Sequence, residues 1–306
     1  MRIAFFGSNE FAVPFLKSIA NDVVIVVTTV DKIAGRGNRI LINPVKAFAM
    51  EHSIKFVSVN KFDQAVIDSI KEAKPDIFVV VSFGKIIPAS VLGIVSCAVN
   101  VHPSKVPLYR GAAPIERQIM EGVTESAVSV IKVSNELDAG DILLSKEFQI
   151  TPYDTKESVE KRVVEVGVPL LQEAIRLVSH GNCSYKRQEG IPTYAKKISK
   201  EDELINWEKD ATSICNSIRA LYPKPLAYTF LRNRILKIVK AEIIDFDCEA
   251  EPGTVCEVSR DFFVVKCGRG AVKVEEVIPE GKKRMLARNF LNGYRLNKGE
   301  RLGGCN

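Results

Sequence analysis

The chain opens with short unbroken apolar runs and closes with short alternating ones. In Arg2–Phe6, Val23–Thr29 and Ile77–Ser82 nearly every residue is apolar, as expected of strands buried on both faces. Between them, Glu10–Ile19 and Phe62–Ala73 read as helices. Asn43 and Pro44 offer an N-cap and a first-turn proline for a helix reaching Glu51. Phe56 and Val57 add a short strand, and a further helix is expected from Pro88. A strand–helix–strand opening predicts a right-handed parallel βαβ unit. The expected fold class is therefore α/β, with a mostly parallel, doubly wound (Rossmann-like) sheet. Only Gly7 follows the first strand where a dinucleotide fingerprint needs three spaced glycines, which disfavours dinucleotide binding.

Further on, Ile94–Val99 and Ala127–Val133 are strand candidates. Asp154–Val178 repeats apolar residues at helical spacing and ends at His180 and Gly181, residues favoured at a helix C-terminus. From Gly190 to Ile205 the periodicity fades and Lys196, Lys197 and Lys200 accumulate. Trp207–Leu221 reads as a helix. Beyond Pro225 come Ala227–Leu231, Arg234–Ala241, Gly253–Val258, Phe262–Lys266 and Ala271–Val277, short strands separated by turn residues, then a short helix to Leu291. Such a series predicts a small β-barrel. The expected organisation is a catalytic domain over 1–189, a linker over 190–206 and a smaller barrel over 207–306.

Composition adds three points. The chain has 306 residues, 46% hydrophobic and 26% charged, enough for two ordinary globular domains. No apolar run approaches the roughly 18 residues of a membrane span, and the first strand leaves no room for a signal peptide. No membrane association and a cytoplasmic location are expected. The seven cysteines are odd in number and show no Cys-x-x-Cys spacing, so neither a disulfide nor a metal site is expected. The net charge is +6, and from Trp207 onward 18 Lys and Arg face 13 Asp and Glu. A basic terminal domain points to a polyanionic partner. No obligate protein partner is evident.

The densest chemistry lies in 98–115, read AVNVHPSKVPLYRGAAPI. Asn100 and His102 are two apart on a strand, so they share a face. In open α/β sheets ligands bind outside the carboxyl ends of the strands. Pro103 and Pro107 stop the ladder, and Pro114 suits a first helical turn. A carboxylate follows the Ala127–Val133 strand, at Asp138 or Asp141. No Ser or Cys sits in a nucleophile elbow, so these groups form no hydrolase triad. They suit acyl transfer to an incoming amine: Asn and His can donate to an oxyanion, and Asp can orient His or handle protons.

Asn-x-His-x-Ser-x-x-Pro at 100–107, Arg-Gly-Ala-Ala-Pro-Ile at 110–115 and Asp-Ala-Gly-Asp-Ile-Leu at 138–143 together resemble the formyltransferase family that uses 10-formyltetrahydrofolate. The resemblance spans the chain. It implies catalytic roles for Asn100, His102 and Asp138, with Asp138 rather than Asp141 as the carboxylate. It implies a folate site lined by Phe83, Gly84 and Ile86 and by Ser104, Lys105, Val106 and Pro107. Two positions depart from the family's habit: Pro103 stands where glycine is common, and Lys105 where an apolar residue is. The segment Asp31–Arg39, too long for a minimal connection, resembles the insertion that tRNA-directed members place at the tRNA acceptor end. This implies Arg36 first, with Lys32 and Arg39, as contacts to an initiator methionyl-tRNA. An OB-like terminal domain would add Lys282, Lys283 and Arg284. No metal is implied.

Overall fold

The computed structural model describes residues 1–34 and 39–303. In chain order it contains β1 (Ile3–Gly7), α1 (Val13–Ser18), β2 (Val23–Thr29), β3 (Lys32–Ala34), β4 (Arg39–Leu41), α2 (Pro44–Glu51), β5 (Phe56–Val59), α3 (Gln64–Glu72), β6 (Ile77–Val81), α4 (Ala89–Leu92), β7 (Cys97–His102), β8 (Arg110–Gly111) and α5 (Pro114–Met120). There follow β9 (Glu125–Lys132), β10 (Ile142–Gln149), α6 (Lys156–Ser179), β11 (Tyr194–Ala195), α7 (Lys200–Glu203) and α8 (Ala211–Ala220). Two compact units result. One comprises 1–112, 125–148 and 160–195; the other comprises 113–124, 149–159 and the chain from Lys196 onward.

In the first unit a seven-stranded sheet runs β10-β9-β7-β6-β1-β2-β5. From β7 to β5 the neighbours are parallel, and β9 is antiparallel to β7. The α/β, mostly parallel expectation holds. Both β1 and β6 are buried along their whole length, which their unbroken apolar sequences require. Phe6 and Phe78 pack with ring centroids 4.8 Å apart, against Ile25, Val27 and Ile70. Each such side chain contributes about 1.5–3 kcal/mol by leaving water.

Asn43 caps α2 by accepting from the Val45 and Lys46 amides, and its own amide donates to Thr29. The helix expected over 10–19 is instead a 3-10 turn, Glu10–Ala12, followed by α1. Pro14 lacks the N–H that would bond to the Glu10 carbonyl. The strand expected over 94–99 begins at Cys97 and continues to His102, because the Ile94 and Val95 amides bond back to Val91 and Leu92. The loop expected over 31–39 carries paired strands: β3 and β4 are antiparallel, with Lys32 opposite Leu41 and Ala34 opposite Arg39. Asp31, just before, accepts from Lys46 and from the Asn43 amide, and both hold its carboxyl below the usual range.

The second unit adds β12 (Ala227–Leu231), β13 (Arg234–Ile244), β14 (Val255–Val258), β15 (Phe263–Lys266), β16 (Ala271–Pro279), β17 (Met285–Leu286) and α9 (Ala287–Tyr294). Its strand order is β12-β13-β16-β15-β14, with β17 beside β16, and its pairs are antiparallel. Trp207, Ile214, Ile218, Phe263 and Phe290 share its core. The helix expected from Trp207 starts at Ala211, capped by Asp210. Trp207 itself is buried ahead of it, and its indole N–H donates to Thr229 Oγ1 at 3.0 Å. Arg117, on α5, forks onto both oxygens of Asp202 at 2.7 and 2.6 Å. The expectation of no disulfide is corrected: Cys248 and Cys256 are bonded, with Cα atoms 6.3 Å apart. The chain folds back between β13 and β14, and sequence spacing carries no sign of that return.

Among the described residues no helix is long and apolar enough to cross a membrane, and no group of three or more His, Cys, Asp or Glu side chains could hold a metal ion.

Candidate active site

Strand β7 projects Asn100 and His102 from one face, with Val101 buried on the other. Because β6 and β7 are parallel and in register at Val80 and Asn100, the loops after them leave the same edge of the sheet. After His102 the chain closes on itself. Ser104 Oγ donates to the Leu108 carbonyl at 2.6 Å, and Ser129 Oγ donates to the Ser104 carbonyl at 2.8 Å. The Val106–Pro107 peptide is cis, and Tyr109 adopts a left-handed φ of 58°. The Tyr109 carbonyl thereby reaches His102 Nε2 at 2.9 Å. A carbonyl only accepts, so this nitrogen carries a hydrogen.

The third group comes from the connection between β9 and β10. Asp138 Oδ1 accepts from Asn100 Nδ2 at 3.0 Å, and Oδ2 accepts from the Gly111 amide at 2.8 Å. His102 Nδ1 stands 3.6 Å from Oδ2, with both side chains almost wholly buried. The two N–H donors, Asn100 Nδ2 and the Gly111 amide, offset part of the cost of removing this carboxylate from water. Gly111 is needed at its place: its φ is 129°, and a Cβ there would stand 2.7 Å from the Ala195 carbonyl oxygen. Of the two carboxylates that sequence leaves open, Asp138 joins the cluster. Asp141 is exposed, and its carbonyl accepts from the Lys132 amide.

Asn100 thus commits one amide hydrogen to Asp138, and its second has no partner among the described residues. Both ring nitrogens of His102 face groups of the chain itself. Asn100 keeps an open donor, whereas His102 is oriented between Tyr109 and Asp138.

The residues expected around a folate fall into two sets. Phe83 is core, its ring 5.4 Å from Phe6 and 6.2 Å from Phe62. Ser104 is fully buried and Val106 nearly so. Gly84, at φ 72°, turns the loop, and Ile86 stands 87% exposed beyond it. Pro107 is half-buried. Lys105 lies between Glu125 at 3.1 Å and Glu147 at 2.5 Å. These carboxylates favour its charged form, Glu147 most.

Among the residues expected to meet RNA, Lys32 and Arg39 lie on β3 and β4, and Arg36 lies outside the described residues. Lys282 and Lys283 are exposed. Arg284 is ion-paired with Glu276, donates to the Tyr222 hydroxyl and lies over its ring. Gln188, outside the motifs at 100–107, 110–115 and 138–143, contacts the main chain of the Asp138 turn.

An amide, an imidazole and a carboxylate converge where the parallel strand β7 ends, an arrangement suited to a group transferase whose acceptor brings its own nucleophile. The Formyl transferase family matches residues 1–175, and the Formyl transferase C-terminal domain matches residues 197–295; the chain belongs to this family. It is 40% identical over 310 residues to the methionyl-tRNA formyltransferase of Dictyoglomus thermophilum, covering 98% of this chain and 99% of that one. Two solved structures share the fold. One is an N-formyltransferase from Helicobacter canadensis, in complex with folinic acid and dTDP-3-aminofucose. It has a TM-score of 0.68 and 21% identity, over 90% of this chain and 98% of that one. The other is HypX from Aquifex aeolicus in complex with tetrahydrofolic acid. It has a TM-score of 0.68 and 17% identity over 98% of this chain, which spans 48% of HypX.

Proposed function

We propose that this protein transfers the formyl group of 10-formyltetrahydrofolate to the α-amine of initiator methionyl-tRNA in the cytoplasm, giving formylmethionyl-tRNA for translation initiation. The observation that carries the reading is the convergence of Asn100, His102 and Asp138 in a chain so similar, end to end, to a methionyl-tRNA formyltransferase.

The amine attacks the formyl carbon, a C–N bond forms, and the bond from that carbon to N10 breaks. One proton leaves the amine and one reaches N10. Asn100 donates its open amide hydrogen to the tetrahedral oxyanion; in other enzymes loss of one such donor lowers kcat by about 10²–10³. Asp138 anchors Asn100 and faces His102, and the His102–Asp138 pair takes up the amine proton. Ile86, Gly84 and Pro107 offer folate an apolar edge beside the reacting groups. Phe83, Ser104 and Val106 hold that edge in shape, and Lys105 stands at its rim.

The tRNA meets Lys32 and Arg39 on β3 and β4, Arg36 between them in the chain, and the exposed Lys282 and Lys283 of a tRNA-binding domain over 207–306. Arg284 contributes there with its charge already shared.

The test is to incubate the protein with 10-formyltetrahydrofolate and methionine-charged initiator tRNA and to follow formylmethionine and tetrahydrofolate. Stoichiometric appearance of both is expected. Tetrahydrofolate released with free formate, or a formylated amino sugar of a nucleotide in preference to tRNA, would replace this acceptor.

A further inference from the structure

Asp138 sits at φ 51°, a left-handed conformation that is costly for a non-glycine residue and persists where its surroundings hold it. The carboxylate is held by Asn100 and Gly111; the main chain is held by Gln188. Gln188 Nε2 donates to the Asp138 carbonyl at 2.9 Å and to the Gly140 carbonyl at 2.7 Å. Its Oε1 accepts from Arg110 Nε at 3.1 Å and from Nη2 at 2.6 Å. Both amide hydrogens and both lone pairs are therefore used. The orientation of the amide is unambiguous, because carbonyls only accept and a guanidinium only donates.

The segment carrying Gln188 is itself fixed. Ile142 and Lys186 exchange backbone hydrogen bonds at 2.7 and 2.9 Å. At the other end of the turn, the Lys132 amide bonds to the Asp141 carbonyl. Arg110 also precedes Gly111, whose N–H holds Asp138 Oδ2. One dipeptide thus grips the carboxylate directly and the main chain through Gln188, closing a ring through Arg110, Gln188, Asp138 and Gly111.

We infer that Gln188, braced by Arg110, is a positioning residue for formyl transfer: it holds the Asp138 turn in the left-handed conformation that presents the carboxylate to Asn100 and His102. This inference rests on the formyl-transfer reading. Gln188 binds the main-chain carbonyls of Asp138 and Gly140, not the carboxylate, so it acts through Asp138. Gln188→Leu keeps the bulk and removes all four hydrogen bonds. Gln188→Glu keeps the Arg110 contact and sets a carboxylate oxygen against two carbonyl oxygens.

The test measures kcat and KM for both substrates in wild type, Gln188→Leu, Gln188→Glu and Arg110→Met, and repeats Gln188→Leu in an Asp138→Ala background. Both Gln188 variants are expected to lose about 10- to 100-fold in kcat with each KM within about threefold. In the Asp138→Ala background, Gln188→Leu should cost less than about threefold, since residues acting as one unit are not additive. Arg110→Met leaves both bonds to the turn and should cost less than Gln188→Leu. Amide exchange across 134–141 should quicken in Gln188→Leu, a readout independent of the reaction. Unchanged kcat in an active enzyme, full additivity with Asp138→Ala, or unaltered exchange would each overturn the inference. A Gln188→Leu variant that fails to fold leaves Arg110→Met to decide, and wild-type kcat there overturns it. A wild type that formylates no acceptor, alongside faster exchange in Gln188→Leu, removes the reaction while leaving Gln188 as the clasp of the turn.

Discussion

His102 Nδ1 and Asp138 Oδ2 face each other across 3.6 Å, while Tyr109 fixes the hydrogen on the opposite ring nitrogen. With the Nε2 hydrogen directed at Tyr109, Nδ1 is the ring nitrogen left to face the carboxylate. In Asp138→Asn an amide nitrogen must meet either the Asn100 or the Gly111 donor, and one hydrogen bond is lost. The expected result is a fall in kcat of about 100-fold or more with folate affinity within a few-fold. Single-turnover formyl transfer together with folate binding by fluorescence checks it; kcat within a few-fold of wild type would count against a catalytic Asp138.

Gly140 lies where no side chain fits. A Cβ there would stand 1.7 Å from the Lys132 carbonyl oxygen and 2.7 Å from its carbon, and backbone cannot swing aside as a side-chain tip can. Gly140→Ala should displace the Asp138 turn, cost about 1–3 kcal/mol of stability and depress kcat along with it. Urea unfolding and steady-state rates on the same preparation test both effects.

Arg117 is expected to stabilise its unit in a pH-dependent way. The Asp202 carboxyl is held down at about 2, chiefly by the Arg117 hydrogen bonds and further by the Ser199 backbone N–H, against the opposing effect of burial. A depressed carboxylate contributes stability above its ordinary value of 3.8 and loses it as the pH falls through the folded value. Arg117→Met should therefore be less stable than wild type near neutral pH, by at most about 2 kcal/mol because the Ser199 hydrogen bonds remain. The difference should narrow below pH 4 and vanish near pH 2. Paired denaturant melts across that range decide; a difference independent of pH would make packing, not charge, the cause.

If the chain between β3 and β4 meets the acceptor end of the tRNA, Arg36→Ala should raise KM for methionyl-tRNA by about tenfold or more and leave folate affinity unchanged. The loss should be larger at 50 mM salt than at 200 mM, as loss of a phosphate contact requires. Equal activity at both salts would remove Arg36 from the interface.

Much of this was legible in local pattern. Val23–Thr29, Pro44–Glu51 and Ala227–Leu231 occur at their expected limits, because unbroken apolar runs, an Asn-Pro cap and alternation are local signals. Asn100 and His102 share a strand face as their spacing requires. Other features are set by partners distant in the chain. β10 carries Ser, Lys, Glu and Gln on an edge strand and has little apolar signature. Trp207 is placed by Thr229 rather than by its own segment. Gln188 acquires meaning only once Asp138, Gly140 and Arg110 surround it, and an isolated glutamine before Glu189 gives no hint of that. The Cys248–Cys256 bond belongs to the same class.

The three cations at 282–284 look equivalent in sequence and are not equivalent in space. Arg284 is neutralised by Glu276 and rests on Tyr222, so an approaching polyanion would find Lys282 and Lys283 with counterions to release and Arg284 with almost none. Swapping either lysine for an uncharged residue should flatten the dependence of affinity on ionic strength, whereas swapping the arginine should chiefly loosen the turn that presents them.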